Sequence, residues 1–428
     1  MADVSRLAQV ECVEPRWLYS MRRHQAAAAP RFDDPLLGAQ WWIETQTADA
    51  CLVPGAAINL PAAWDITTGR AETVIAVLDT GMDLGHPELA SQLFPRGEDD
   101  WNFTLQSAKE PVDAAGHGTA VAGLAAAIAG NDMGITGVAP GCRLMPLKID
   151  GLDLVFNLID ALEYLTEKAQ ARRDLRFVVN ASFGIGGQST LVESTLRNAR
   201  EAGIVLCFSA GNDGGAVDYP ASSSEVIAVG AVIGTGERKT PRDCTGETWA
   251  SARGPELDLV APGVAMVTTD IRNAGGYEPG DFNPKFNGTS AAAPLVAGVA
   301  ALMLSANPDL TALRVQEILA ETALDGAGSA DEDTPGFDEF MGWGRLDAGA
   351  AVLQAARERL QTRGDGDCSD EVDGADVVAV LGHLFLGRPA PCRHLLDASG
   401  DGRVGIEDPV YLLNWLYRGG PPPLEYRL

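Results

Sequence analysis

The sequence predicts an α/β chain with a mainly parallel central sheet in three layers, followed by a small helical domain built from paired loop–helix units. Three observations carry this. Short β-branched apolar runs alternate with longer segments of helical spacing between residues 58 and 360. Such alternation implies parallel strands with helices on both faces. At 428 residues the chain is long enough for more than one domain. After Arg363 the composition changes and a unit of one loop and one helix occurs twice.

Thr73–Leu78 is the first run; it reads as a buried strand that delivers Asp79 at its end. Arg143–Lys148, Phe177–Asn180, Ile204–Ser209 and Val226–Val229 read the same way. Leu154–Ala171 and Leu191–Ala202 have helical spacing with one polar face. A helix is expected from Ser290 to about Ala306, stopped by Asn307-Pro308, another over Leu313–Ala320, and a last one to about Leu360. Functional residues of parallel sheets gather at the carboxyl ends of strands, where Asp79 and Asn212 lie.

Composition excludes some functions. The chain is 46% hydrophobic and 21% charged, an ordinary globular balance. Its net charge of −27 would repel phosphates and argues against nucleic acid as a partner. The acidity fits cation binding or salty surroundings, and equally a role in solubility alone. No stretch reads as a membrane span: Ala120–Gly130 and Ala291–Ala306 are short and rich in small residues. No apolar segment follows Met1-Ala2-Asp3-Val4-Ser5-Arg6, so no signal peptide is visible there. Seven Cys is too low a density for a disulfide scaffold, and an odd number leaves one thiol unpaired within the chain. Cys207, in an apolar strand, reads as an inert core thiol.

Three motifs carry the chemistry: Asp79-Thr80-Gly81, His117-Gly118-Thr119, and Gly288-Thr289-Ser290-Ala291-Ala292-Ala293-Pro294. A serine nucleophile needs a base, a carboxylate to orient that base, and donors for the oxyanion. Ser290 and His117 each stand at a helix start, and Asp79 follows a strand. In this order and with these flanks, the three resemble the Asp-His-Ser triad of subtilisin-like serine proteases. The resemblance covers roughly Pro30 to Leu360 and ends on Gly342-Trp343-Gly344-Arg345-Leu346-Asp347-Ala348. It implies a subtilisin-like three-layer fold, a peptide or protein substrate and an acyl-enzyme on Ser290.

The same resemblance assigns further residues. Asn212, in Ser209-Ala210-Gly211-Asn212, matches the family's oxyanion-hole amide. Ser182, Phe183 and Gly184 match the edge along which substrate lies as an extended strand, facing a second segment near Gly151. Asp218, before Tyr219-Pro220-Ala221, falls at the floor of the pocket for the residue preceding the scissile bond. A carboxylate there would favour Lys or Arg; the alternatives are an exposed loop residue or a cation ligand. His86 reads as structural. Ala120 and Ala291 depart from the family's usual His and Met. Calcium is usual in the family, and Gly130-Asn131-Asp132 with Glu88 are the nearest matches to such a site. Val10-Glu11-Cys12-Val13-Glu14-Pro15 resembles the end of an inhibitor propeptide, the alternative being a floppy arm. The expected domains are therefore residues 1–25 as a propeptide remnant, 26–360 as the catalytic domain and 361–428 as a calcium-loop domain.

Within the last domain, residues 397–408 follow the twelve-residue calcium loop: Asp397, Ser399, Asp401, the Arg403 carbonyl and Asp408 supply oxygens, with Gly402 at the sharp turn. The first copy offers Asp365, Asp367, Ser369, the Glu371 carbonyl and Asp376, with Asp373 at the ninth position and Asp370 replacing the glycine. Two such loops, each with one helix, resemble a dockerin type I module, which implies Ca²⁺ and a cohesin-like or cell-surface partner. The residues at loop positions 10 and 11, Gly374-Ala375 and Ile406-Glu407, differ from the usual Ser/Thr pair. Millimolar calcium outside the cell would fill such loops. Cys368 and Cys392 flank the first half and could pair there. The expectation is a secreted endopeptidase whose natural start lies upstream. The alternatives are an inactive scaffold that only displays the last domain, and an intracellular enzyme starting at Met1.

Overall fold

The computed structural model describes residues 32–43, 51–95, 97, 101–104, 110–151, 153–358, 360–367, 369, 371–388, 390, 395–400, 403–423 and 425–427. The expected propeptide remnant, Asp370, Asp401, Gly402 and the Cys368–Cys392 pair lie outside them.

Six strands form one parallel sheet: β1 (Thr73–Asp79), β2 (Arg143–Lys148), β3 (Arg176–Ala181), β4 (Val205–Ser209), β5 (Ile227–Val232) and β6 (Leu259–Pro262). Their order across the sheet is β2-β1-β3-β4-β5-β6. Every residue of β1 is buried, as a strand covered on both faces requires. Alternation then divides its side chains between two cores. Ile75 and Val77 enter one core with α1 (Leu60–Trp64), α2 (His117–Ala126) and α5 (Thr289–Ala306). Val74, Ala76 and Leu78 enter the other with α3 (Leu154–Ala171) and α4 (Thr190–Glu201). The expected three layers follow directly.

Helix α5 is apolar all round, with a mean hydropathy of 1.7. It is the one helix among the described residues whose length and composition would let it cross a membrane. Instead 94% of it is buried, as a helix without a polar face must be in the centre of a core. Pro294 sits inside it. A hairpin, β7 (Met266–Thr269) with β8 (Phe282–Phe286), precedes α5. Helices α6 (Ala312–Thr322) and α7 (Ala348–Arg357) close the layer. Thr311 and Asp347 cap them, each accepting a backbone N–H at 3.1 and 2.9 Å.

Beyond these, α8 (Gly374–Leu386) and α9 (Glu407–Arg418) share a small core of Val377, Val380, Leu396 and Leu412. Both end in a left-handed glycine, Gly387 or Gly419, at equivalent positions of the two repeated units, 32 residues apart. Cys51 and Cys244 form a disulfide across 193 residues; nothing in the sequence pattern pairs them. Cys207 is buried and unpaired, and burial raises its thiol pKa far above the usual range.

Candidate active site

The sheet order reverses at β1, whose neighbours β2 and β3 lead away on opposite sides. Crevices at the carboxyl ends of strands open at such points. Asp79 ends β1 and Ser182 follows β3, so both stand at this crevice. A cleft of about 320 Å³ lies there, lined by Asp79, His117, Asp150, Gly151, Ser182 and Phe183 among others. Ser182 and Phe183 of one segment expected to flank a substrate, and Gly151 of the other, therefore line the same cleft.

Asp79 is 5% exposed and accepts the Thr80 N–H at 2.8 Å. His117 Nδ1 lies 2.8 Å from one Asp79 carboxylate oxygen and 3.0 Å from the other. An ionised carboxylate can only accept, so Nδ1 carries the proton and Nε2 is left as the acceptor. Burial disfavours the charged ring, but the charge and hydrogen bond of Asp79, with the charge of Asp113, outweigh it. His117 therefore titrates above its ordinary value. The close approach of β1 and α2 requires glycine at 118: a Cβ there would lie 2.1 Å from the Gly81 carbonyl oxygen. Phe286 packs edge-on against the imidazole at 5.4 Å.

Ser290 is the second residue of α5, where first-turn N–H groups lack intrahelical partners. Its hydroxyl donates to the Ser182 carbonyl at 3.2 Å, and the Ser182 hydroxyl donates to the Ser290 carbonyl at 3.1 Å. This exchange ties the start of α5 to the edge after β3. Asn212 Oδ1 accepts the Thr289 N–H at 2.9 Å and its hydroxyl at 3.1 Å. A backbone N–H cannot accept, which settles the amide's orientation and leaves Nδ2 on the open side. Asn212 is exposed there.

Asp218 lies behind the same edge. A Cβ added at Gly184 would meet its side chain at 3.3 Å, and one at Gly211 would collide with its carboxylate. Burial and the neighbouring Asp213 charge raise its pKa. His86 is structural: Nε2 meets the Asp281 carbonyl at 2.9 Å and Nδ1 accepts the Glu88 N–H at 3.1 Å.

Two groups of carboxylates sit away from the cleft. Glu88 is fully buried and neither of its carboxylate oxygens has a hydrogen-bond partner. Burial, then the charge of Asp34, pushes its pKa up to about 8, against a smaller lowering by the nearby Asn131 side chain, which stays outside hydrogen-bond geometry. Asp34 faces the loop after α2, accepting the Gly130 and Asn131 N–H groups at 2.9 and 3.1 Å. An orphaned buried carboxylate beside a second one fits a hard cation. In the C-terminal unit, Asp365, Asp367 and Asp376 bring oxygens within 4.8 Å of one another. Burial and the charges of Asp367 and Asp365 raise Asp376. In the second loop Asp408 repeats the Asp376 contacts, accepting the Ser399 and Gly405 N–H groups at 2.9 and 2.8 Å where Asp376 accepts those of Asp367 and Asp373 at 3.2 and 2.8 Å; the difference is Arg363, whose Nη1 lies 2.6 Å from an Asp397 oxygen.

Residues 70–344 match the description Subtilase family, nearly two thirds of the chain. The chain belongs to the subtilase family. The Thermophilic serine proteinase of Bacillus sp. (strain AK1) is 32% identical to this subtilase over 68% of its length, and the Halolysin-like extracellular serine protease Nep of Natrialba magadii 31% over 78%. The chain spans 64% and 59% of those two relatives. Among solved structures, a protease from Pseudoalteromonas arctica PAMC 21717 superposes with a TM-score of 0.62 at 27% identity, covering 76% of this subtilase and 99% of that chain.

Sequence reasoning missed Asp113, whose only local signal is a short polar residue four positions before His117 at a helix start. It also missed the aromatic pair Phe286 and Tyr277, with centroids 6.2 Å apart, and the Cys51–Cys244 disulfide.

Proposed function

We propose that the chain is a secreted serine endopeptidase that cleaves peptide bonds through an acyl-enzyme on Ser290. The observation that carries this is the Asp79–His117 hydrogen bond, which leaves Nε2 as the acceptor in a cleft that Ser182, the hydrogen-bond partner of Ser290, also lines. In the reaction the Ser290 hydroxyl turns from the Ser182 carbonyl to His117. Its oxygen attacks the scissile carbonyl while Nε2 takes the proton. The tetrahedral oxyanion is held by Asn212 Nδ2 and the Ser290 N–H. His117 then gives the proton to the leaving amine, the C–N bond breaks, and water releases the acyl group by the same steps. Substrate pairs as a strand with Ser182, Phe183 and Gly184. Asp218 selects Lys or Arg before the scissile bond.

Calcium completes the protein without entering the reaction. Glu88, Asp34 and the Asn131 loop would hold one ion and lock the segment after α2. Asp365, Asp367, Ser369, the Glu371 carbonyl and Asp376 would hold a second. Asp397, Ser399, Asp401, the Arg403 carbonyl and Asp408 would hold a third, and Asp397 would have to be shared with or released by the Arg363 guanidinium that now pairs with it. Residues 361–428 then act as a dockerin-like anchor for a cohesin-like or cell-surface partner, and residues 26–360 form the catalytic domain. Secretion fits relatives named as extracellular proteases, from Natrialba magadii and Xanthomonas campestris.

Wild type and Ser290→Ala are compared on an unfolded protein, with calcium and with chelator. Cleavage by wild type alone, abolished by a serine-directed phosphonate, supports the reading. A folded wild type that neither cleaves nor reacts with the phosphonate refutes it and leaves a calcium-dependent binding protein.

A further inference from the structure

Asp113 is 5% exposed, and no lysine or arginine among the described residues forms an ion pair with it. Its carboxylate is held by five donors. One oxygen accepts the Thr80 hydroxyl at 2.8 Å and the Ala115 and Gly116 N–H groups at 2.9 and 3.0 Å. The other accepts the Thr119 N–H at 3.0 Å and its hydroxyl at 2.7 Å. Thr80 Oγ1 in turn accepts the Gly118 N–H at 3.0 Å. Residues 115, 116, 118 and 119 are thus all tied to one carboxylate, directly or through Thr80. The residue they enclose is His117. Lys148 Nζ braces the same construction from β2, donating to the Thr80 and Val112 carbonyls at 2.7 and 3.1 Å.

We propose that Asp113 is a positioning residue for His117: its carboxylate gathers the end of β1 and the start of α2 into one unit that aims the imidazole at the cleft. The role rests on the protease reading. A helix start welcomes a negative charge, which lets a buried carboxylate stand here without a cation. A functional side chain must be held to within about 0.5 Å, and a displacement of about 1 Å can cost on the order of 10²-fold. Asp79 alone cannot supply this, because it holds the ring but not the backbone that carries it.

The test uses Asp113→Asn and, as a milder cut, Thr80→Val with Thr80→Ser as its rescue. The charged and titratable groups facing this point are Asp79, His117, Lys148 and, from the 270–281 segment, Tyr277 and Asp270. They are unchanged in all three variants. Rates are normalised to sites titrated with a serine-directed phosphonate, and His117 is titrated separately by NMR in a Ser290→Ala background. Asp113→Asn is expected to lower kcat per titrated site by about 10²-fold with KM within about threefold. It also moves the His117 titration to lower pH, because a nearby negative charge is lost. Thr80→Val loses about tenfold and Thr80→Ser recovers it. If kcat per site and the His117 titration stay unchanged while only the melting temperature falls, the role is structural and the proposal is overturned. Should Asp113→Asn not fold, the Thr80 pair decides. Should wild type prove inactive, the protease reading fails, and the NMR titration still reports whether Asp113 acts on His117.

Discussion

Replacing Asp79 by Asn should abolish most activity without a change of shape, and the geometry says why. The Thr80 N–H points at Asp79 Oδ1 from 2.8 Å, and a backbone N–H can only donate. In Asp79→Asn the amide must therefore keep its oxygen at that position. Its NH₂ takes the other, now 3.0 Å from His117 Nδ1. An NH₂ there donates to Nδ1 and crowds any N–H on it, so the tautomer with its proton on Nε2 is favoured over the one whose Nδ1–H would be accepted by the retained oxygen at 2.8 Å. The imidazole then presents N–H to Ser290, when the reaction needs a lone pair. Loss of the correct tautomer is expected to cost about 10⁴-fold in kcat near neutral pH, or about 5.4 kcal/mol in the barrier. The assay is kcat per folded protein on a chromogenic peptide, with the folded fraction read from near-UV circular dichroism. KM should change by no more than about threefold, since Asp79 lies beneath the base rather than along the substrate strand. A folded Asp79→Asn variant within about tenfold of wild type would refute the tautomer argument.

Three further outcomes are expected. Asp218→Ser should reduce the preference for Lys or Arg over Ala before the scissile bond by about three- to tenfold, the modest size an exposed carboxylate allows; an unchanged preference in a peptide panel removes Asp218 from the pocket. Glu88 titrates near 8 when folded against an ordinary 4.5, so it holds its proton more tightly in the native state. In chelator, stability is therefore lost as pH rises from 4.5 through about 8, at about 1.4 kcal/mol per decade, while calcium offsets the loss by taking the ionised carboxylate. Melting curves of wild type and Glu88→Gln across that range check this; equal calcium responses in the two would dismiss the site. Asp376→Asn should weaken calcium binding at the first C-terminal loop by about tenfold and leave proteolysis per titrated site intact, as read by calorimetry on the full chain.

Most of the fold was legible. β1, β2 and α3 fall where period and composition put them, since strand alternation and helical spacing are local properties of the chain. The hairpin β7–β8 and strand β6 escaped notice because each is only four or five residues long and carries no distinct period. The candidate site stands out in the sequence as three motifs and an amide, since their glycines and helix starts leave marks within a few residues.

What the sequence determined alone is the order of elements and the choice of candidate groups for the chemistry, because turn residues, caps and periodicity act over short separations. Tertiary structure decided how those groups are held. Asp113 becomes a hub only when Thr80, 33 positions earlier, folds onto it. Glu88 becomes an orphan only when the surrounding core excludes water from it. Cys51 meets Cys244 only across 193 residues. Such contacts depend on the packing of distant segments, and no local pattern encodes which of them will meet.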